Sequence, residues 1–259
     1  MCLVAGEKAA LGRFFHFHHL NSYNQRMPPL RTAIYIDGYN LYYGRLRGTP
    51  FKWLDVVDLF VRMCRSVEPR SDIVSVCFFT APVLPKFARH GHASMKAQNE
   101  YHRALEAKYP TLFRKILGSH VYEKNGTELP VFEEGQPFDR EKKVRVWRLI
   151  EKKSDVSLAL TAYRDAVSKR VDQTILVTND TDAEPLMEAL AADSPDIRIG
   201  VITPRPEPTA DKKGRPANAA LSRRAHWTRT YIRDDELIQS LLPDTVPTRK
   251  SPAKKPEHW

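Results

Sequence analysis

Short apolar runs that end in an acid recur along this chain. Ala33-Ile34-Tyr35-Ile36 leads into Asp37, and Ile175-Leu176-Val177 leads through Thr178 and Asn179 into Asp180 and Asp182. Runs this short, apolar at consecutive rather than alternate positions, predict strands buried on both faces. Residues 73–79 and 197–202 read the same way, the second as the last strand. Between them the period lengthens. Leu54, Val57, Phe60, Val61 and Cys64 recur at helical spacing, which predicts a helix over 53–64 with Asp55 and Asp58 on its solvated side. Further helices are expected over 93–108, 183–192 and 234–242, and another from Asp155 onward, where Val156, Ala159, Leu160, Tyr163 and Val167 form an apolar stripe. The segment 121–146 is patterned weakly, with strands around 120–123 and 143–147 joined by a hairpin or loop. Strands alternating with helices predict an α/β fold with a central, mainly parallel sheet.

The ends of the chain read differently from its middle. Residues 1–29 hold neither a membrane-length apolar run nor a secretory signal, and are expected to lie outside the fold. His16, His18 and His19 fall within them, and Met27 competes with Met1 as the start. The domain is expected over 30–242, with 203–216 a Pro-rich flexible loop; 243–259, basic and Pro-rich, is expected to be a disordered tail. Three cysteines without metal-ligand spacing suit a reducing, cytoplasmic setting, with no membrane partner. A homo-oligomer is compatible with the sequence but not readable from it.

Charge sharpens the picture. A net charge of +10 coexists with acids at strand ends, a combination that suits a protein attracting a polyanion and acting on it. Asp37, Asp180 and Asp182 would meet at the carboxyl edge of a parallel sheet, and Asp155 would join them from the first turn of its helix. Each has a plainer reading. Acids in a first turn favour the helix dipole, and Thr181 with Glu184 reads as a capping box. Lys86, Arg89, Arg140, Lys142, Lys143, Lys152 and Lys153 are candidate phosphate contacts, and a merely solvated basic surface explains them equally well.

Three stretches taken together resemble a known family. Tyr35-Ile36-Asp37-Gly38-Tyr39-Asn40-Leu41, Glu151-Lys152-Lys153-Ser154-Asp155 and Val177-Thr178-Asn179-Asp180-Thr181-Asp182 are similar to the motifs of the NYN domain, in the PIN-like nuclease superfamily and nearest its bacterial LabA-like branch. The likeness covers 31–242. It implies a Rossmann-like (PIN-like) three-layer fold in which Asp37, Asp155, Asp180 and Asp182 bind Mg²⁺ or Mn²⁺, with the Asn40 amide beside them. The implied activity is endoribonuclease cleavage, with single-stranded RNA as the partner. Such a metal would activate water for in-line attack on a phosphodiester. Lys153 departs from the pattern, since relatives carry Gly there. Two alternatives stand beside this one. A catalytically silent RNA-binding or regulatory module would keep the fold, and a haloacid-dehalogenase-like phosphatase would need a second acid where Tyr39 stands.

Overall fold

The computed structural model describes residues 28–209 and 216–259. The expectations for 1–27, including the three histidines and the alternative start at Met27, lie outside them, as does the middle of the 203–216 loop.

The chain opens with β1 (Leu30–Asp37), a short α1 (Gly38–Leu41) continued by a π-helical turn at Tyr42–Leu46, α2 (Val56–Val67), β2 (Ser71–Thr80), α3 (His92–Lys108) and β3 (Phe113–Leu117). Four short strands follow: β4 (Ser119–Val121), β5 (Thr127–Pro130), β6 (Lys143–Val146) and β7 (Ile150–Lys152). Then come α4 (Ser154–Val167), β8 (Gln173–Val177), α5 (Glu184–Asp193), β9 (Arg198–Ile202), α6 (Ala219–Arg224), β10 (Trp227–Arg229), α7 (Asp234–Ile238), β11 (Thr245–Val246) and β12 (Ala253–Lys254).

Six strands make one sheet in the order β3-β2-β1-β8-β9-β10, with every neighbouring pair parallel. Helices cover both faces, so the molecule is a three-layer, Rossmann-like α/β fold. β1 sits inside it and sends alternate side chains to opposite cores: Ile34 and Ile36 pack toward α2 and α3, Ala33 and Tyr35 toward α4 and α5. Each large apolar side chain so buried contributes about 1.5–3 kcal/mol, which is why the apolar runs are consecutive. The weakly patterned segment forms two antiparallel ribbons, β4 with β7 and, farther out along the chain, β5 with β6. No helix among the described residues is long and apolar enough to cross a membrane.

Four readings of the sequence need correction. The sheet does not stop at β9, because Trp227-Thr228-Arg229 adds an edge strand too short and polar to register as one. Asp55 is not solvated: it is 1% exposed, caps α2 by accepting the Asp58 N–H at 3.0 Å, and takes Lys108 Nζ at 2.6 Å and the Tyr109 hydroxyl at 2.8 Å. The stripe read on α4 is only partly inward: Val156, Leu160 and Val167 are exposed and Ala159 and Tyr163 pack at the core's margin, while Leu158, Ala162 and Ala166 are the residues buried against the sheet. Ala162 and Ala166 let the helix approach the strands closely, with Leu158 the one large side chain buried from it.

The fourth correction concerns 243–259, which is part of the fold rather than a disordered tail. β11 pairs with β12, burying Val246 and Ala253, and the Trp259 ring packs on Trp53 and Tyr101 at centroid distances of 6.3 and 5.6 Å. The Trp53 indole N–H donates to the Pro243 carbonyl at 2.8 Å. Composition counts apolar residues, whereas here a few of them find seats already lined with aromatic rings.

Candidate active site

The strand order reverses between β1 and β8, so the connections leaving them diverge and a crevice opens beyond their carboxyl ends. Asp37 is the last residue of β1; Thr178, Asn179 and Asp180 follow β8. Asp155 enters from the first turn of α4 and Asp182 from a 3₁₀ turn, Thr181–Ala183. All four acids line one small pocket, which Thr178 joins and Leu158 and Ala159 wall on its apolar side.

The local chain geometry fixes Asp37 tightly. A Cβ on Gly38 would meet the Phe79 carbonyl oxygen at 2.6 Å, so only glycine lets the turn pass so close to β2. Asp37 is 7% exposed; its Oδ1 accepts the Asn40 N–H at 2.9 Å and its Oδ2 the Thr178 hydroxyl at 3.1 Å. Asn40 lies beside the pocket and joins the two strand ends, its Oδ1 accepting the Asn179 N–H at 2.9 Å. Asn179 in turn holds the next loop, donating to the Pro216 carbonyl at 3.0 Å and accepting the Asn218 N–H at 2.7 Å.

Electrostatics at the pocket run one way. Burial above all lifts the Asp37 carboxyl to about 6, helped by the charges of Asp155 and Asp180 and opposed by the hydrogen bonds from Asn40 and Thr178. Asp155 stands more open to solvent. It is raised too, by desolvation first and then by Glu151, Asp180 and Asp182. Asp180 also caps its own turn by accepting the Asp182 N–H at 3.2 Å, so the cap anticipated at Thr181 belongs to its neighbour.

The candidate phosphate contacts are spread over the surface. The Lys86 ammonium lies 3.8 Å from the Trp147 ring centroid, Arg89 is exposed before α3, and Lys142 pairs with Glu133 at 2.6 Å near Arg140 and Lys143 on the outer ribbon. Only Lys152 and Lys153 adjoin the start of α4. Lys153 has φ 83°, the left-handed region that favours glycine.

Three residues beside the pocket were missed as site residues. The Tyr39 hydroxyl meets His120 Nε2 at 2.6 Å, and Glu151 sits directly across the β4–β7 ribbon from His120. Glu151 was visible within a motif and Tyr39 within Asp-Gly-Tyr-Asn. His120, 81 residues from Tyr39, carried no signal of its own.

No protein-family model matches the chain. Over 248 residues it is 39% identical to the 6-hydroxy-3-succinoylpyridine 3-monooxygenase HspA of Pseudomonas putida, an alignment covering 89% of this chain and 76% of the relative. The chain belongs to that enzyme's family. A solved protein of unknown function from Vibrio parahaemolyticus aligns with 83% of this chain and 97% of its own, at a TM-score of 0.44 and 18% identity, too loose a likeness to carry argument.

This kinship corrects the chemistry expected of the acids. The relative is an oxygenase, so the endoribonuclease reading, its phosphodiester hydrolysis and its RNA-binding role are set aside together with the phosphatase alternative. The expected Mg²⁺ or Mn²⁺ goes with them. Among the described residues no three His, Cys, Asp or Glu side chains are placed to hold a metal ion, and both Asp37 oxygens already accept protein hydrogen bonds. Acids gathered at a sheet edge serve proton transfer as readily as metal binding, and residue types alone do not separate the two.

Proposed function

We propose that this protein is an oxidoreductase that inserts one atom of dioxygen into a hydroxylated pyridine bearing an acidic acyl chain. The observation that carries the reading is the 39% identity to the Pseudomonas putida monooxygenase across 89% of this chain. The succinoyl group named in that enzyme's substrate ends in a carboxylate, and a net charge of +10 favours an anionic ligand. Buried free thiols at Cys64 and Cys77 suit a reducing compartment, and the cytoplasm is the proposed location.

Monooxygenation leaves one oxygen atom in the substrate and the other in water, which consumes two electrons and two protons. The reaction therefore implies an electron carrier. A dinucleotide does not fit the switch-point crevice: the first turn reads Asp37-Gly38-Tyr39-Asn40 in place of a glycine-rich phosphate loop, α1 has four residues, and the four acids of the pocket would repel a pyrophosphate. What the residues here support is proton handling. Asp37, with a carboxyl near 6, exchanges its proton close to neutral pH, as a general acid or base requires.

The test is incubation of the full chain with 6-hydroxy-3-succinoylpyridine, a reductant and ¹⁸O₂. One labelled oxygen atom in the product is the expected result. A product whose added oxygen carries no label and so comes from water, or no oxygenated product with any electron donor, overturns the proposal.

A further inference from the structure

We propose that Tyr39 binds the ring hydroxyl of an aromatic substrate and, by handing its own proton to His120, converts that hydroxyl to its anion. This rests on the hydroxypyridine reading above for the substrate, but its geometry is independent of it.

The hydrogen-bond directions are decided by chemistry. His120 Nδ1 lies 3.0 Å from the Pro82 carbonyl oxygen, which can only accept, so Nδ1 carries a hydrogen. In the neutral imidazole Nε2 is then the acceptor, and the contact with the Tyr39 oxygen at 2.6 Å is a phenolic O–H donating to it. With its one proton so engaged, the half-buried Tyr39 oxygen has only lone pairs left to offer. It therefore receives a donor, and a ring hydroxyl or lactam N–H is such a donor.

Two neighbours complete the arrangement. Tyr43 stacks on Tyr39 at 6.0 Å and 25° and is 59% exposed, which leaves an aromatic face for a planar ring to lie along. Glu151 faces His120 across the ribbon, where side chains opposite one another have Cβ atoms about 5 Å apart. Its Oε1 accepts both the Ser154 hydroxyl at 2.5 Å and the Ser154 N–H at 3.3 Å, so the carboxylate is fixed at the start of α4.

The transfer balances. The substrate O–H bond breaks as a new Tyr39 O–H forms, and the proton Tyr39 held moves to His120 Nε2. No electrons leave, and the substrate oxygen keeps the charge. The imidazolium then donates to Pro82 and Tyr39 and faces the Glu151 carboxylate across the ribbon. Burial and then the charge of Glu151 keep the Tyr39 phenol from ionising on its own, so it passes a proton without storing charge. A ring oxyanion is richer in electrons than the parent hydroxyl and takes an electrophilic oxygen more readily. Tyr39 touches the substrate; His120 and Glu151 position and accept.

The experiment uses 4-nitrophenol, whose anion is coloured, with 6-hydroxy-3-succinoylpyridine in parallel. The parent should bind the nitrophenol as its anion at a pH below the solution midpoint. Tyr39→Phe should lose about tenfold in affinity, the worth of one hydrogen bond, and the bound colour with it. His120→Gln, whose amide can still accept from Tyr39, should hold the neutral phenol but not the anion. In the ligand-free parent, ¹⁵N resonances of His120 should report the Nδ1–H tautomer. An Nε2–H tautomer, or variants matching the parent in both affinity and colour, overturns this proposal even if ¹⁸O incorporation succeeds. Failed incorporation with the anion spectrum intact removes the pyridine reading instead.

Discussion

The two ends of the same central strands are built on opposite principles. At the amino end of β1 and β8, Arg31 and Asp172 form a two-pronged pair at 2.7 and 2.9 Å, which holds the Asp172 carboxyl below its usual range. Fully buried Gln173 donates to Thr32 at 3.1 Å and to Ser71 at 2.8 Å, and receives the Trp227 indole at 3.4 Å. The Arg31, Asp172 and Gln173 side chains there each face partners of complementary kind. Six positions after Arg31 stands Asp37, and the charges acting on it and on Asp155 are all carboxylates: Asp155 and Asp180 on the first, Glu151, Asp180 and Asp182 on the second. One end supports folding; the other retains an unfavourable cluster, the pattern that groups used in chemistry tend to show.

The sharpest way to break this contrast is Asp37→Asn. Turnover should fall by about 10²–10⁴-fold, the usual worth of a positioned acid or base. Stability should move the other way. A carboxyl whose folded value is raised to about 6 binds its proton more tightly in the folded chain, so its contribution is full below about pH 4 and lost as pH rises to about 6. That loss amounts to on the order of 3 kcal/mol in the parent. Urea unfolding from pH 4 to 7 should show a parent whose stability falls relative to the variant across that window. Parallel curves would mean that Asp37 carries no such load.

Gln173→Leu probes the opposite end. It removes the amide donor to the Thr32 and Ser71 hydroxyls, which keep the Leu30 carbonyl and the Cys64 thiol as partners, and leaves the Trp227 indole without its acceptor; it should cost about 1–3 kcal/mol of stability while leaving turnover within about twofold, since β8 still delivers Asp180. A variant that is stable but inactive would put the two ends under one control. The smallest effect is expected at Lys153, whose positive φ places strain at the start of the helix that carries Asp155. Lys153→Gly should raise stability by about 1 kcal/mol, read as a higher melting temperature. No gain would move the strain away from the functional end.

Much of this could be read along the chain. β1, β2, β8 and β9 announced themselves because strands covered on both faces must be apolar throughout, and Asp37, Asp155, Asp180 and Asp182 stood out as acids at the ends of elements. The partners of those acids did not. Whether Val156 or Leu158 faces the sheet depends on how closely α4 can approach it, and both faces of that helix carry apolar residues at helical spacing. The pairing of Tyr39 with His120 depends on a ribbon inserted between β3 and α4, and no local pattern at either residue points to the other.

The sequence by itself determined the layered α/β architecture and the acids, because burial on two faces and strand–helix alternation are local demands written residue by residue. Only the tertiary structure decided that the strands run in the order β3-β2-β1-β8-β9-β10, and with it that Asp37 and Asp180 face one crevice at the reversal. It also decided which groups surround them. A carboxylate's proton affinity is set by desolvation and by charges a few ångströms away, and those neighbours come from Thr178, Asp155, Glu151 and Asp182, brought together by chain crossings that no run of consecutive residues encodes.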